Sequence, residues 1–172
     1  VDRQLDVTSA IPYSLATVNR WLQAQIGRKV RFDTFQGGVD IQFVQLPRTD
    51  AEYAPDNKFF RILTDVYQLI APGKNALVVY EGPRDSDACG ESDIPLEVGA
   101  TGQISVVYTS CLSNTAPSPD AQPNTDDFLT LHELFHAFGA VHPPQLTQPP
   151  ASSDEYARLV CDLMYDPKMN TC

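Results

Sequence analysis

All three histidines of this chain lie in one stretch of eleven residues, His132-Glu133-Leu134-Phe135-His136-Ala137-Phe138-Gly139-Ala140-Val141-His142. His132 and His136 are four apart, so on a helix their imidazoles stand one above the other on one face. Two stacked imidazoles can take two corners of a zinc tetrahedron. Glu133 has a different azimuth but still reaches a water held by such a metal, as a general base would. His142 does not belong to the same straight helix, because ten residues at about 3.6 per turn carry it to another face. Gly139 resolves the problem. Glycine adopts the left-handed backbone that ends a helix, and the chain then turns back to bring His142 in as third ligand. Three protein ligands leave a fourth position for water, the mark of a catalytic zinc rather than a structural one. The competing reading is a buried helix with incidental histidines, against which the full eleven-residue spacing weighs.

His132, Glu133, His136, Gly139 and His142 together resemble the extended motif of the metzincin clan of zinc metalloendopeptidases. Leu163-Met164-Tyr165 is similar to the Met-turn of matrix metalloproteinases, and Pro143 follows the third histidine as in the serralysins. The resemblance covers residues 124–167 and names the clan, not a family within it. It implies an α+β catalytic domain with a mixed twisted sheet, a buried active-site helix and a small C-terminal part. The upper part would span about 1–139 and the lower part about 140–172. Met164 would form an apolar floor beneath the histidines and not a ligand; a generic core methionine is the alternative. The residue two after Met164 is Asp166, so no tyrosine role at zinc carries over. Only eight residues follow Met164, so the helix usual after the Met-turn is missing or displaced into residues 152–160.

The implied activity is hydrolysis of a protein or peptide substrate at one zinc ion, with Glu133 as general base. The substrate would lie extended and add a strand to a sheet edge. The resemblance places that edge in the strand before the motif helix, within residues 98–109. A different class remains open: a metal-stabilised binding or inhibitory domain that keeps the zinc site. Glu133 argues for the enzyme, since metal binding alone does not need it. A zinc hydrolase of non-peptide bonds is the third option.

The elements that position these residues are readable by periodicity. Leu15, Val18, Leu22 and Ile26 predict a helix over 12–26, stopped by Gly27. Alternation in 29–35 and 39–46 predicts two strands around Gln36-Gly37-Gly38, and 47–55 reads as a polar loop. Phe59, Ile62, Leu63, Val66 and Ile70 predict a helix over 57–70, capped by Asp56. Ala76–Tyr80 is a continuous apolar run, expected as a central strand buried on both faces. Residues 103–109 form another strand, and 112–124 a surface loop. Asn124, Asp126 and Asp127 open the motif helix at its positive end. Its apolar residues surround most of its circumference, which predicts burial. Residues 143–151 hold four prolines and read as extended.

The chain has 172 residues, enough for one domain with a core of its own, and no repeat or linker divides it. Its net charge of −10 argues against nucleic acid and anionic membranes as partners. No apolar run is long enough for a membrane span, and a monomer is expected. The sequence opens at Val1 without a leader pattern, which reads as a mature form. Cys89, Cys111, Cys161 and Cys172 form no C-x-x-C pair, so two disulfides in a secreted, extracellular protein are expected over four free thiols. Of the three connectivities, Cys89–Cys111 with Cys161–Cys172 is the most local. The acidic stretch Asp85-x-Asp87-x-x-Gly90 begins like a calcium loop. It departs from one at Cys89 and Leu96, so a solvated loop is expected over a bound calcium ion.

Overall fold

A computed structural model describes residues 3–54, 57–84, 88–93, 102–113 and 123–138. Helix α1 runs Ala10–Ile26 and buries Leu15, Val18 and Leu22. It begins two residues before the expected position, so Pro12 falls within the first turn, where its missing N–H costs no helical bond. Gly27 closes it with φ +67°, its N–H donating to the Gln23 carbonyl.

The two strands expected over 29–46 shrink to a small hairpin. Strand β1 (Thr34–Phe35) pairs antiparallel with β2 (Gly38–Val39) across a turn in which Gln36 and Gly37 both have positive φ. The rest is irregular for two physical reasons. Phe35 and Phe43 point to solvent, so no buried face enforces an extended pairing. The side chain of Asn19 also takes both backbone groups of Val30, donating to its carbonyl at 3.0 Å and accepting from its N–H at 2.8 Å. A side-chain amide thus stands where a neighbouring strand would.

Residues 47–55 are not simply a loop. A one-turn helix, α2 (Asp50–Tyr53), starts at Thr49, whose N–H and hydroxyl both donate to the Glu52 carboxylate at 2.7 Å. This is the reciprocal capping arrangement that Thr-x-x-Glu encodes, and fully buried Tyr53 anchors it. Helix α3 (Lys58–Tyr67) buries Phe59, Ile62, Leu63 and Val66 as their spacing predicts, and ends three residues early. Its cap position is Asn57; Asp56 lies outside the described residues.

Among the described residues three strands form the main sheet in the order β3-β5-β4. Strand β3 (Ala76–Tyr80) runs parallel to β5 (Ile104–Tyr108), with Ala76 opposite Ile104. Strand β4 (Gly90–Ser92) runs antiparallel to β5, with Gly90 opposite Val107 and Ser92 opposite Ser105. Among the described residues β3, expected as a central strand, is paired on one side only. β5 is the one buried along its whole length, whereas β3 is half-buried over residues 76–79 and buried only at Tyr80. A continuous apolar run does not distinguish the two positions. Of the range 98–109 expected to hold a free edge, residues 98–101 lie outside the described residues, and β5 is paired on both sides. Among the described residues the strands paired on one side only are β3 and β4, the latter hidden in what reads as an acidic loop.

Side chains alternate across β5. Ile104, Val106 and Tyr108 join the core formed with Tyr53 of α2, four residues of α3 and Tyr80. Ser105 faces the other way, onto helix α4 (Thr125–Ala137), and α1 packs on α4 through Val18, Leu22 and Leu131. The result is a mixed α+β arrangement with a small sheet between helical layers. Cys89, just before β4, is bonded to Cys111, just after β5, with Cα atoms 5.5 Å apart. Among the described residues no helix is long and apolar enough to cross a membrane. The proposed lower part with Gly139, His142 and Met164, the Cys161–Cys172 pair and Asp85 and Asp87 of the acidic loop lie outside the described residues.

Candidate metal centre

Helix α4 carries the candidate chemistry, and its start is strongly fixed. Asn124 accepts from the Asp127 N–H at 3.0 Å, while Asp127 accepts from the Asn124 N–H at 3.0 Å. Asp126 and Asp127 sit in the positive first turn. Ser14 of α1 donates to buried Asp127, tying the helix start to its neighbour. The helix stops at Ala137 with Phe138 as cap, immediately before the glycine that the motif predicts as its end.

His132 and His136 are 6% and 5% exposed, and their rings meet edge to face with centroids 4.7 Å apart. Their Nε2 atoms converge to 3.1 Å. Two imidazole nitrogens this close need a shared proton or a shared cation between them. Nitrogens at about 2.0–2.1 Å from a tetrahedral zinc lie about 3.3–3.4 Å apart, so the pair fits two corners of such a site. Among the described residues no group of three His, Cys, Asp or Glu side chains converges; the third ligand that the motif offers, His142, is outside them.

Glu133 is 4% exposed and points to the sheet. Ser92 of β4 donates to its Oε2 at 2.7 Å, and Ser105 of β5 donates to its backbone carbonyl at 2.6 Å. Burial pushes the Glu133 carboxyl up to about 7; the Ser92 hydrogen bond opposes the rise and the Glu91 charge adds to it. Glu91 itself accepts from the buried Tyr108 hydroxyl at 2.6 Å.

The histidine motif gives no sign of Gly90, Ser92 or Ser105 as neighbours of Glu133. Ser105 carried a signal nonetheless, as the one polar residue within the run Ile104–Tyr108 apart from the terminal tyrosine hydroxyl. A buried hydroxyl must find a partner, and here the partner is the motif helix. A cavity of about 430 Å³ also lies on the α4 side, lined by Leu5, Leu15, Leu77, Val79, Val107 and Leu112 among others. None of His132, Glu133 and His136 lines it, so it is separate from the histidine pair. Comparison with known proteins gives no match: no protein family, curated protein or solved structure matches this chain.

Proposed function

We propose that the chain is a zinc-dependent endopeptidase of metzincin type, acting outside the cell on protein or peptide substrates. The observation that carries this reading is the convergence of the His132 and His136 Nε2 atoms to 3.1 Å on a buried face of α4, with Glu133 between them in sequence. His132, His136 and His142 would hold the metal. Zinc, when bound, would lower the pKa of a water and polarise a peptide carbonyl. Glu133 takes the proton from the attacking water at its carboxylate and returns it to the leaving amine. Strand β4, paired on one side only among the described residues, offers backbone groups to an extended peptide close to Glu133.

The test is Glu133→Gln in the purified, zinc-loaded chain, assayed on a broad peptide library. Zinc content should equal that of wild type, because the ligands are untouched. Hydrolysis should fall by about 10²–10⁴-fold, the share of a positioned general base, mainly in kcat. Wild type and variant equally inert would sink the endopeptidase reading in favour of a metal-stabilised binding domain.

A further inference from the structure

Two serines from neighbouring strands converge on one residue of α4. Ser92 and Ser105 are directly opposite in the antiparallel pair, and their hydroxyl oxygens lie 2.9 Å apart. Ser105 is fully buried and donates to the Glu133 carbonyl at 2.6 Å. Ser92 lies 2.9 Å from that same carbonyl and 2.7 Å from Glu133 Oε2. Main chain and carboxyl of one residue are thereby held by two adjacent hydroxyls.

We propose that Ser92 and Ser105 are positioning residues for Glu133, forming a hydroxyl clamp that fixes its main chain and its carboxyl against the sheet. The role rests on the endopeptidase reading, but the clamp itself is testable without turnover. The variants are Ser92→Ala, Ser92→Thr and Ser105→Ala in the full chain. Ser92→Ala should lower kcat by about 10- to 100-fold, the effect of a misplaced reacting group, with KM and zinc content unchanged. Ser92→Thr, which keeps the hydroxyl, should restore most of the rate. Ser105→Ala is the second route should Ser92→Ala fold poorly, and it should act in the same direction.

The readout independent of activity is the ¹³C resonance of the glutamate side-chain carboxyls, of which the chain has six. The Glu133 signal is assigned by its loss in Glu133→Gln. It should move in Ser92→Ala and return in Ser92→Thr, while the other carboxyls stay in place. A Glu133 resonance unmoved in Ser92→Ala overturns the clamp, and so does a rate loss that threonine does not rescue. If wild type cleaves no peptide, the endopeptidase reading fails alone, and the resonance decides the clamp.

Discussion

Gly90 lies so close to the carboxyl of Glu133 that a Cβ at position 90 would come within 2.5 Å of Glu133 Cγ and 2.6 Å of Oε1. Gly90 has no positive φ, so the glycine serves space and not backbone freedom. An absent side chain on β4 makes the room in which the candidate base sits.

Gly90→Ala is therefore expected to act through packing alone. In an unhindered strand this change would stabilise by about 0.5–1 kcal/mol through reduced chain entropy. Here the added methyl must displace Glu133, and overpacking of this kind costs about 1–3 kcal/mol. Peptide hydrolysis should drop while zinc content holds, because the atoms nearest the added methyl are those of Glu133. Denaturant melts and metal analysis of the variant check both halves. A Gly90→Ala protein as stable and as active as wild type would show that Glu133 does not occupy this position in solution.

The motif helix was legible because its chemistry is local. Imidazoles four apart share a face whatever surrounds the helix, and Asn124 with Asp127 marks its start within four residues. What surrounds Glu133 was not legible. Gly90-Glu91-Ser92 has no apolar alternation, and it becomes a strand only because β5 offers a partner. The hairpin region fails in the opposite direction. Its alternation is clear, but Asn19 occupies the backbone of Val30 and Phe43 stays in solvent, so the pattern never becomes a ladder. For α2 the signal was present in Thr49-Asp50-Ala51-Glu52, and the proline-bounded polar composition masked it.

The Cys89–Cys111 bridge closes a loop with a sequence separation of 22 and ends one residue before Gly90. In the chain-entropy account a loop of this size contributes about 3 kcal/mol. The Arg84 guanidinium stands 3.6 and 3.9 Å from the two sulfurs. Replacing both cysteines with serine should lower the unfolding free energy by about that amount. Activity should fall as well, since β4 loses the covalent tether that holds it beside Glu133. Urea denaturation of the double variant reads the first effect. Unchanged stability, with both thiols of the wild type free to alkylation, would remove the bridge from the covalent framework.

The ion pair between Lys58 and Asp50 gives a prediction with a direction that chemistry alone decides. Lys58 is 1% exposed; its ammonium donates to Asp50 Oδ1 at 2.5 Å and to the Pro83 carbonyl at 2.6 Å, and it lies 4.7 Å from the centre of the Tyr80 ring. Tyr80 donates to the same Asp50 oxygen at 2.7 Å. Asp50 itself is 42% exposed at its side chain. Removing the acid takes the carboxylate away from a buried ammonium that keeps its bond to the Pro83 carbonyl, whereas removing the base leaves a carboxylate that water can reach. Asp50→Ala should therefore cost about 3 kcal/mol, at the low end for breaking a buried pair. Lys58→Met, which fills the site with an apolar chain of similar length, should cost clearly less. Burial works to raise the Asp50 carboxyl, but the hydrogen bonds from Lys58 and Tyr80 outweigh it and hold it below its ordinary value of 3.8. A carboxyl depressed in the folded state contributes stability that is present above the unfolded value and lost as pH falls through the folded one. Wild type should thus lose stability as pH drops below about 4, and Asp50→Asn should lose less over that same interval. Denaturant titrations of the three variants at neutral and acid pH measure the asymmetry and the slope together. Lys58→Met more damaging than Asp50→Ala, or an acid slope unchanged in Asp50→Asn, would mean that the pair does not hold α2 and α3 to the loop at Pro83.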